Sequence, residues 1–358
     1  MGQIFKFKTY SLPSSIIKQF NKNSSAQNII LNFIFLLFVS INFFSCKGDE
    51  TVTPIYNSSE AYDWSVKTLE GDPYNISALN RNTYFAGSLG QFYKVTNGTA
   101  ELFTVNASVF RAVEAFVYDE SYIVFMGYRL SDSHVQYMVY DNGTYTIYNI
   151  PETSIADLDP VYIAERGTFY FGRHNTTTYY KFKNGVFTLH AIPSSDAGVY
   201  FGKANGKDYV YKRTDVTTYN FYQLTDSGYT GTFTSSALFS LFRLNSGIIS
   251  YDNITNTVSS FTGAGFTFKF NFSDSQKYAL YAKGSNENSF AALFIDTTNH
   301  FQMSHWDGSN FTKQINVPAE VNTTGLMNYT VTNYIDNTFY IHLIAGGAPS
   351  KLVKVTLK

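Results

Sequence analysis

The 358-residue chain carries a single cysteine, Cys46. That scarcity excludes an internal disulfide, a thiolate metal cage and a catalytic cysteine in the body of the protein. Charge is thin as well: Asp, Glu, Lys and Arg make up 15% of residues and the formal net charge is -1. A polyanion-binding role, nucleic acid included, gets no support from that balance. The six histidines, His134, His174, His190, His300, His305 and His342, are scattered without metal-ligand spacing. Two acids in one loop, Asp157 and Asp159, read as a solvated turn before Pro160 and not as a calcium loop. There is no G-x-S-x-G, no Gly-rich phosphate loop and no H-E-x-x-H. The sequence therefore assigns no cofactor, no metal and no catalytic residue.

Aromatics are abundant instead, at 18% of residues with 33 Phe and 29 Tyr. With so few charges, that composition points to a strand-rich, packed body. A small or polar pair followed by an aromatic or aliphatic strand start recurs at Tyr84, Tyr122, Phe169, Tyr209, Ile248, Phe290 and Phe339. The mean spacing, 42.5 residues, is that of a four-stranded propeller blade. In the second repeat the predicted strands are Arg111 to Tyr118, Tyr122 to Tyr128, Gln136 to Asp141 and Thr144 to Ile150. Tight turns join the third and fourth strands at Asn97-Gly98, Asn142-Gly143, Asn184-Gly185, Ser227-Gly228 and Asp307-Gly308. The last repeat stops at its third strand, Lys351 to Leu357, and Trp64 to Glu70 alternates like the missing fourth. The expected fold is thus all-β, a seven-bladed propeller spanning residues 61–358 and closed by pairing of its first and last strands.

The front end reads as an address. Residues 1–45 hold four lysines and no acid, and sixteen largely apolar residues, Ile29 to Phe44, precede Ser45 and Cys46. This is a signal-peptide plan. The run Phe43, Phe44, Ser45, Cys46 resembles a lipobox, which implies that Cys46 is lipidated and becomes the new N-terminus. Lys47, Gly48, Asp49 and Glu50 resemble the tag of Bacteroidetes lipoproteins, which implies exposure on the outer face of the outer membrane, with a periplasm-facing position as the alternative. Residues 46–60 then form a tether. In layout the repeats resemble the kelch-like and galactose-oxidase-like propellers, although the paired glycines and regular Trp of kelch repeats are missing. That resemblance implies fold and not chemistry.

One pattern suggests a site. The second strand of repeats two, three and four ends in an arginine, Arg129, Arg173 and Arg213, and repeats five and six place Asp252 and Asp296 there. An arc of guanidiniums facing an arc of carboxylates would suit an acidic ligand. The leading functional reading is a non-catalytic, lipid-anchored surface protein whose loop face binds a glycan or a protein partner. A polysaccharide hydrolase or lyase using Asp252 or Asp296 is the second reading. A structural subunit of an outer-membrane complex is the third.

Overall fold

A computed structural model describes the chain from Tyr62 to Lys358, apart from residues 69–74, 89–90, 151–157, 175, 194–198, 216–217, 236–239, 253, 272–277, 296–300, 310, 315–325 and 346–349. The proposed signal, Cys46 and the tether lie outside the described residues. Among the described residues, twenty-eight strands form seven four-stranded sheets, each an antiparallel meander.

Blade 1 comprises β2 (Asn75–Asn80), β3 (Thr83–Ser88), β4 (Gln91–Thr96) and β5 (Thr99–Leu102). Blade 2 comprises β6 (Phe110–Asp119), β7 (Tyr122–Arg129), β8 (Val135–Asp141) and β9 (Thr144–Asn149), within two residues of the predicted bounds. Blade 3 runs through β10 (Tyr162–Glu165), β11 (Thr168–Gly172), β12 (Thr178–Lys183) and β13 (Val186–Ala191). Blade 4 follows with β14 (Tyr200–Ala204), β15 (Lys207–Arg213), β16 (Tyr219–Thr225) and β17 (Gly228–Ser235). Blade 5 holds β18 (Ser240–Arg243), β19 (Ile248–Asp252), β20 (Thr257–Phe261) and β21 (Phe266–Asn271). Blade 6 holds β22 (Tyr278–Asn286), β23 (Ser289–Ile295), β24 (Phe301–Trp306) and β25 (Phe311–Gln314). Blade 7 is composite: β26 (Leu326–Val331), β27 (Thr338–Ala345) and β28 (Lys351–Leu357) are completed by β1 (Tyr62–Thr68).

The turns follow from residue chemistry. Asn142 and Gly143 both adopt left-handed φ, 46° and 91°, as a two-residue hairpin turn demands. Asn97-Gly98 and Asn184-Gly185 do the same. In blade 4 the turn sits one residue earlier than predicted: Thr225 pairs with Gly228, so Asp226 and Ser227 form the loop.

The core is not a single mass. Among the described residues it divides into seven apolar clusters, each shared by two neighbouring blades. β7 shows why. Tyr122, Val124 and Met126 pack towards blade 3, while Ile123 and Phe125 pack towards blade 1. Successive strand residues point to opposite faces, so a strand in the middle of a blade must be apolar on both. Phenylalanine and tyrosine supply the wide, flat volume that these wedge-shaped interfaces need, as in the stack of Phe221 on Phe261 at 4.3 Å between blades 4 and 5.

Polar clasps add to the packing between blades. Ala78 N donates to Asn333 Oδ1 and Asn333 Nδ2 donates to Ala78 O, both at 2.9 Å, joining blades 1 and 7. Arg166 bonds Asp141 and Ser121 while covering the Tyr122 ring at 5.6 Å, joining blades 3 and 2.

The ring closes at β1 and β28. Seven Cα partners run from Tyr62–Leu357 to Thr68–Lys351. Tyr62 also meets His305 of blade 6 edge-on at 5.9 Å. Removing residues 62–68 strips β28 of its outer partner and uncovers the cluster between blades 6 and 7. Expected is a drop in Tm of more than 10 °C, or aggregation on purification, measured by thermal unfolding of the truncated chain against the parent.

Candidate functional site

The innermost strands face the propeller axis, and a cavity of about 450 Å3 lies between them. All seven blades line it, from Ser77 in β2 round to Val331 at the end of β26. Its charged residues are Glu114 on β6, Lys203 on β14, Arg243 on β18 and Lys283 on β22. A second hollow of about 440 Å3 opens beside it, between blades 3 and 6, walled by Asp159, His174, Tyr200, Tyr211, Phe242 and Tyr281 among others. Pro160, Arg243 and Lys283 line both, so the groove and the axial cavity are contiguous.

Local backbone features aim these side chains. Val113 is an extra residue in β6: Ala112 pairs with Gly127 and Glu114 with Met126. Such a bulge re-aims the residue that follows it. Two glycines make room. A Cβ on Gly127 would sit 2.1 Å from Arg111 O, and one on Gly87 would sit 2.5 Å from Val113 O. Glu114 is thereby presented to the axis without an ion-pair partner among the described residues, and burial pushes its carboxyl up to about 7. Burial, with a smaller push from the neighbouring Arg243, brings the Lys283 ammonium down to about 8.

Lys203 is held more firmly. It donates to Ala164 O at 3.0 Å and lies 3.6 Å from Asp208 Oδ1, the oxygen that also accepts from Tyr162 OH at 2.7 Å. The Arg243 guanidinium covers the Tyr162 ring at 5.3 Å. At the mouth, Tyr200 is 55% exposed and stacks on Tyr211 at 5.8 Å. Asp159 Oδ1 lies 3.1 Å from His174 Nδ1. Among the described residues, no group of three or more His, Cys, Asp or Glu is placed to hold a metal ion.

The residues singled out in the sequence stand elsewhere. Arg129, Arg213 and Asp252 close β7, β15 and β19, and Arg173 directly follows β11. Arg129, Arg213 and Asp252 each serve their own loop. Arg129 makes a two-pronged bond to Asp132, 2.8 Å from Nε and 2.5 Å from Nη2, and holds that carboxyl down at about 2. Arg213 Nε donates to Asp215 O at 2.9 Å. The Arg173 backbone forms an isolated bridge with Leu158. Asp252 accepts from Ile254 N at 2.8 Å and from Thr255 Oγ1 at 2.6 Å. None of these four lines the axial cavity or the groove, and Asp296 lies outside the described residues. Lys203, Arg243 and Lys283, which do line the cavity, recur at intervals of forty residues, close to one blade, a spacing that the strand-end pattern does not capture. Glu114, an acid set among Ala112, Val113, Ala115, Phe116 and Val117, is the other signal in the sequence.

Charge in the cavity carries a stability cost at both groups, with opposite pH dependence. The Glu114 carboxyl lies above its ordinary value, so its contribution is fully present below about pH 4.5 and is lost as pH rises through 7. The Lys283 ammonium lies below its ordinary value, so its contribution is present above about 10.5 and is lost as pH falls through 8. Both penalties coincide near pH 7 to 8. Glu114→Gln should therefore stabilise the protein at pH 7.5, by on the order of 3 kcal/mol at most, with the gain vanishing towards pH 4.5. Thermal melts of parent and variant across that range provide the check.

No protein-family model matches the chain, and no curated protein matches it. Solved structures do. A streptogramin B lyase superposes with a TM-score of 0.54 at 13% identity, covering 84% of this chain and all of the other. A catalytically inactive virginiamycin B lyase from Staphylococcus aureus with quinupristin gives 0.55 at 10% identity, over 83% of this chain and all of its own. YCF48 bound to D1 peptide gives 0.54 at 10% identity, over 86% of this chain and all of its own. At such identities the likeness is one of fold, and the fold is a seven-bladed β-propeller.

Proposed function

We propose that this chain is an exported binding protein, anchored by lipid on Cys46 at the outer face of the outer membrane, that takes a glycan or protein partner on the axis of its propeller. The observation that carries the binding reading is the continuity of the mouth groove with the axial cavity through Arg243 and Lys283. Concave, aromatic-walled sites with a few convergent polar groups are where ligands bind. The exposed Tyr200, backed by Tyr211, offers a flat face for a sugar ring or a peptide side chain. YCF48 bound to D1 peptide is a precedent for a ring of similar fold engaging a peptide. The hydrolase or lyase reading ranks lower for Asp252, whose carboxylate is already engaged by its own loop, while Asp296 lies outside the described residues.

The address is tested by Cys46→Ala, which should shift the protein from the washed membrane fraction to the soluble fraction. Retention in the membrane would instead favour an uncleaved N-terminal anchor. Binding is tested on glycan and peptide arrays with the full chain and with Tyr200→Ala. The variant should lose at least ten-fold in signal on whichever array the parent labels, with Tm unchanged because the side chain is exposed. Release of cleaved product over time would favour the enzymatic reading.

A further inference from the structure

The axial cavity has a chemical bias. Lys203, Arg243 and Lys283 stand on the innermost strands of three successive blades, so their equal spacing in the chain places them in one arc around the axis. Lys203 is largely neutralised by Asp208. Arg243 lies against a ring and not a carboxylate, and Lys283 has no hydrogen-bond or ion-pair partner among the described residues. Two cations gathered in a partly enclosed site without counter-ions destabilise the fold, and such arrangements concentrate where a ligand supplies the missing charge. On the far side, in the blade across the ring from blades 5 and 6, stands Glu114.

We propose that this arc binds a singly charged carboxylate of sugar-acid size, an assignment that rests on the axial binding reading above and names its ligand class. The Arg243 fork matches two carboxylate oxygens, and Lys283 adds a point donor beside it. Glu114 adds a second requirement: at mildly acidic pH it keeps its proton and can donate it across the cavity to a ring-borne hydroxyl, which a sugar acid carries beyond its carboxylate and which inorganic phosphate, also mainly a monoanion at that pH, lacks. A cavity of about 450 Å3 suits one or two sugar rings. The Tyr200–Tyr211 pair in the contiguous groove then stacks on the next ring outward.

Protonation favours binding at mildly acidic pH. The charged groups facing the cavity are Glu114, Lys203, Arg243 and Lys283, with Asp208 behind Lys203. Tyr118 also faces it, and Tyr162 and Tyr334, both raised by burial, stay neutral. As pH rises through 7 and then 8, Glu114 gains its charge and Lys283 loses its own. Both changes weaken an anion's hold.

The experiment is calorimetric titration of the full chain at pH 6 with glucuronate, galacturonate and N-acetylneuraminate, and with glucose and inorganic phosphate as comparators. At least one sugar acid should bind, glucose and phosphate should not bind at the same concentrations, and affinity should fall at least ten-fold between pH 6 and 8.5. Arg243→Gln and Lys283→Met should each weaken binding at least ten-fold, Arg243→Lys should restore part of it, and added salt should weaken the parent. Phosphate binding in place of every sugar acid, or sugar-acid binding unchanged in both variants, would overturn the assignment. Failure of all the anions would also overturn it. If Tyr200→Ala still abolished array binding in that case, the groove reading would survive alone; if it did not, both would fall.

Discussion

A four-stranded blade with apolar residues on both faces cannot exist by itself in water, and the rest of this structure depends on that constraint. Each blade buries one face only by lending the other to its neighbour, which is why the core is seven clusters between blades and not one mass at the centre. Burial of that kind has no natural end in an open row. It is completed when the row bends round and the last blade meets the first, as Tyr84 meets Tyr340 at 5.2 Å between blades 1 and 7. The aromatic excess follows from the same geometry, since neighbouring blades splay outward and broad rings fill the widening gap.

The axis inherits the opposite condition. With apolar packing delegated to the interfaces between blades, the innermost strands are released from core duty and can carry Glu114, Lys203, Arg243 and Lys283. Two of those groups, Glu114 and Lys283, are dehydrated and moved well away from their ordinary ionisation. Stability is held at the interfaces, so the axis can bear that cost. The separation explains how one ring can combine a rigid body with an electrostatically strained centre.

Much of the architecture was legible in the sequence because local chemistry and the repeat agree. Asn-Gly turns require left-handed φ and were found where expected, and strand starts such as Tyr122 and Ile248 open their strands. The closing strand was readable because a third strand without a fourth at one end matched an orphan strand at the other. The site was not readable in the same way. Arg129 and Arg213 recur at equivalent places in the repeat, yet recurrence cannot reveal that Asp132 and the Asp215 carbonyl already engage them. Glu114 owes its direction to a bulge at Val113 that two glycines from different blades accommodate, a relation between residues up to forty apart that no local pattern displays.

The pairing of Tyr62 with Leu357, tightened by the Lys358–Asp63 contact at 3.1 Å, has a topological consequence. The two ends of the folded body meet side by side, so its backbone traces very nearly a closed loop, and no blade is first except by the accident of where the chain is cut. A peptide link across that junction and a break in any other connection between blades would leave every interface with the same neighbours. The order of synthesis and the order of packing are thus independent.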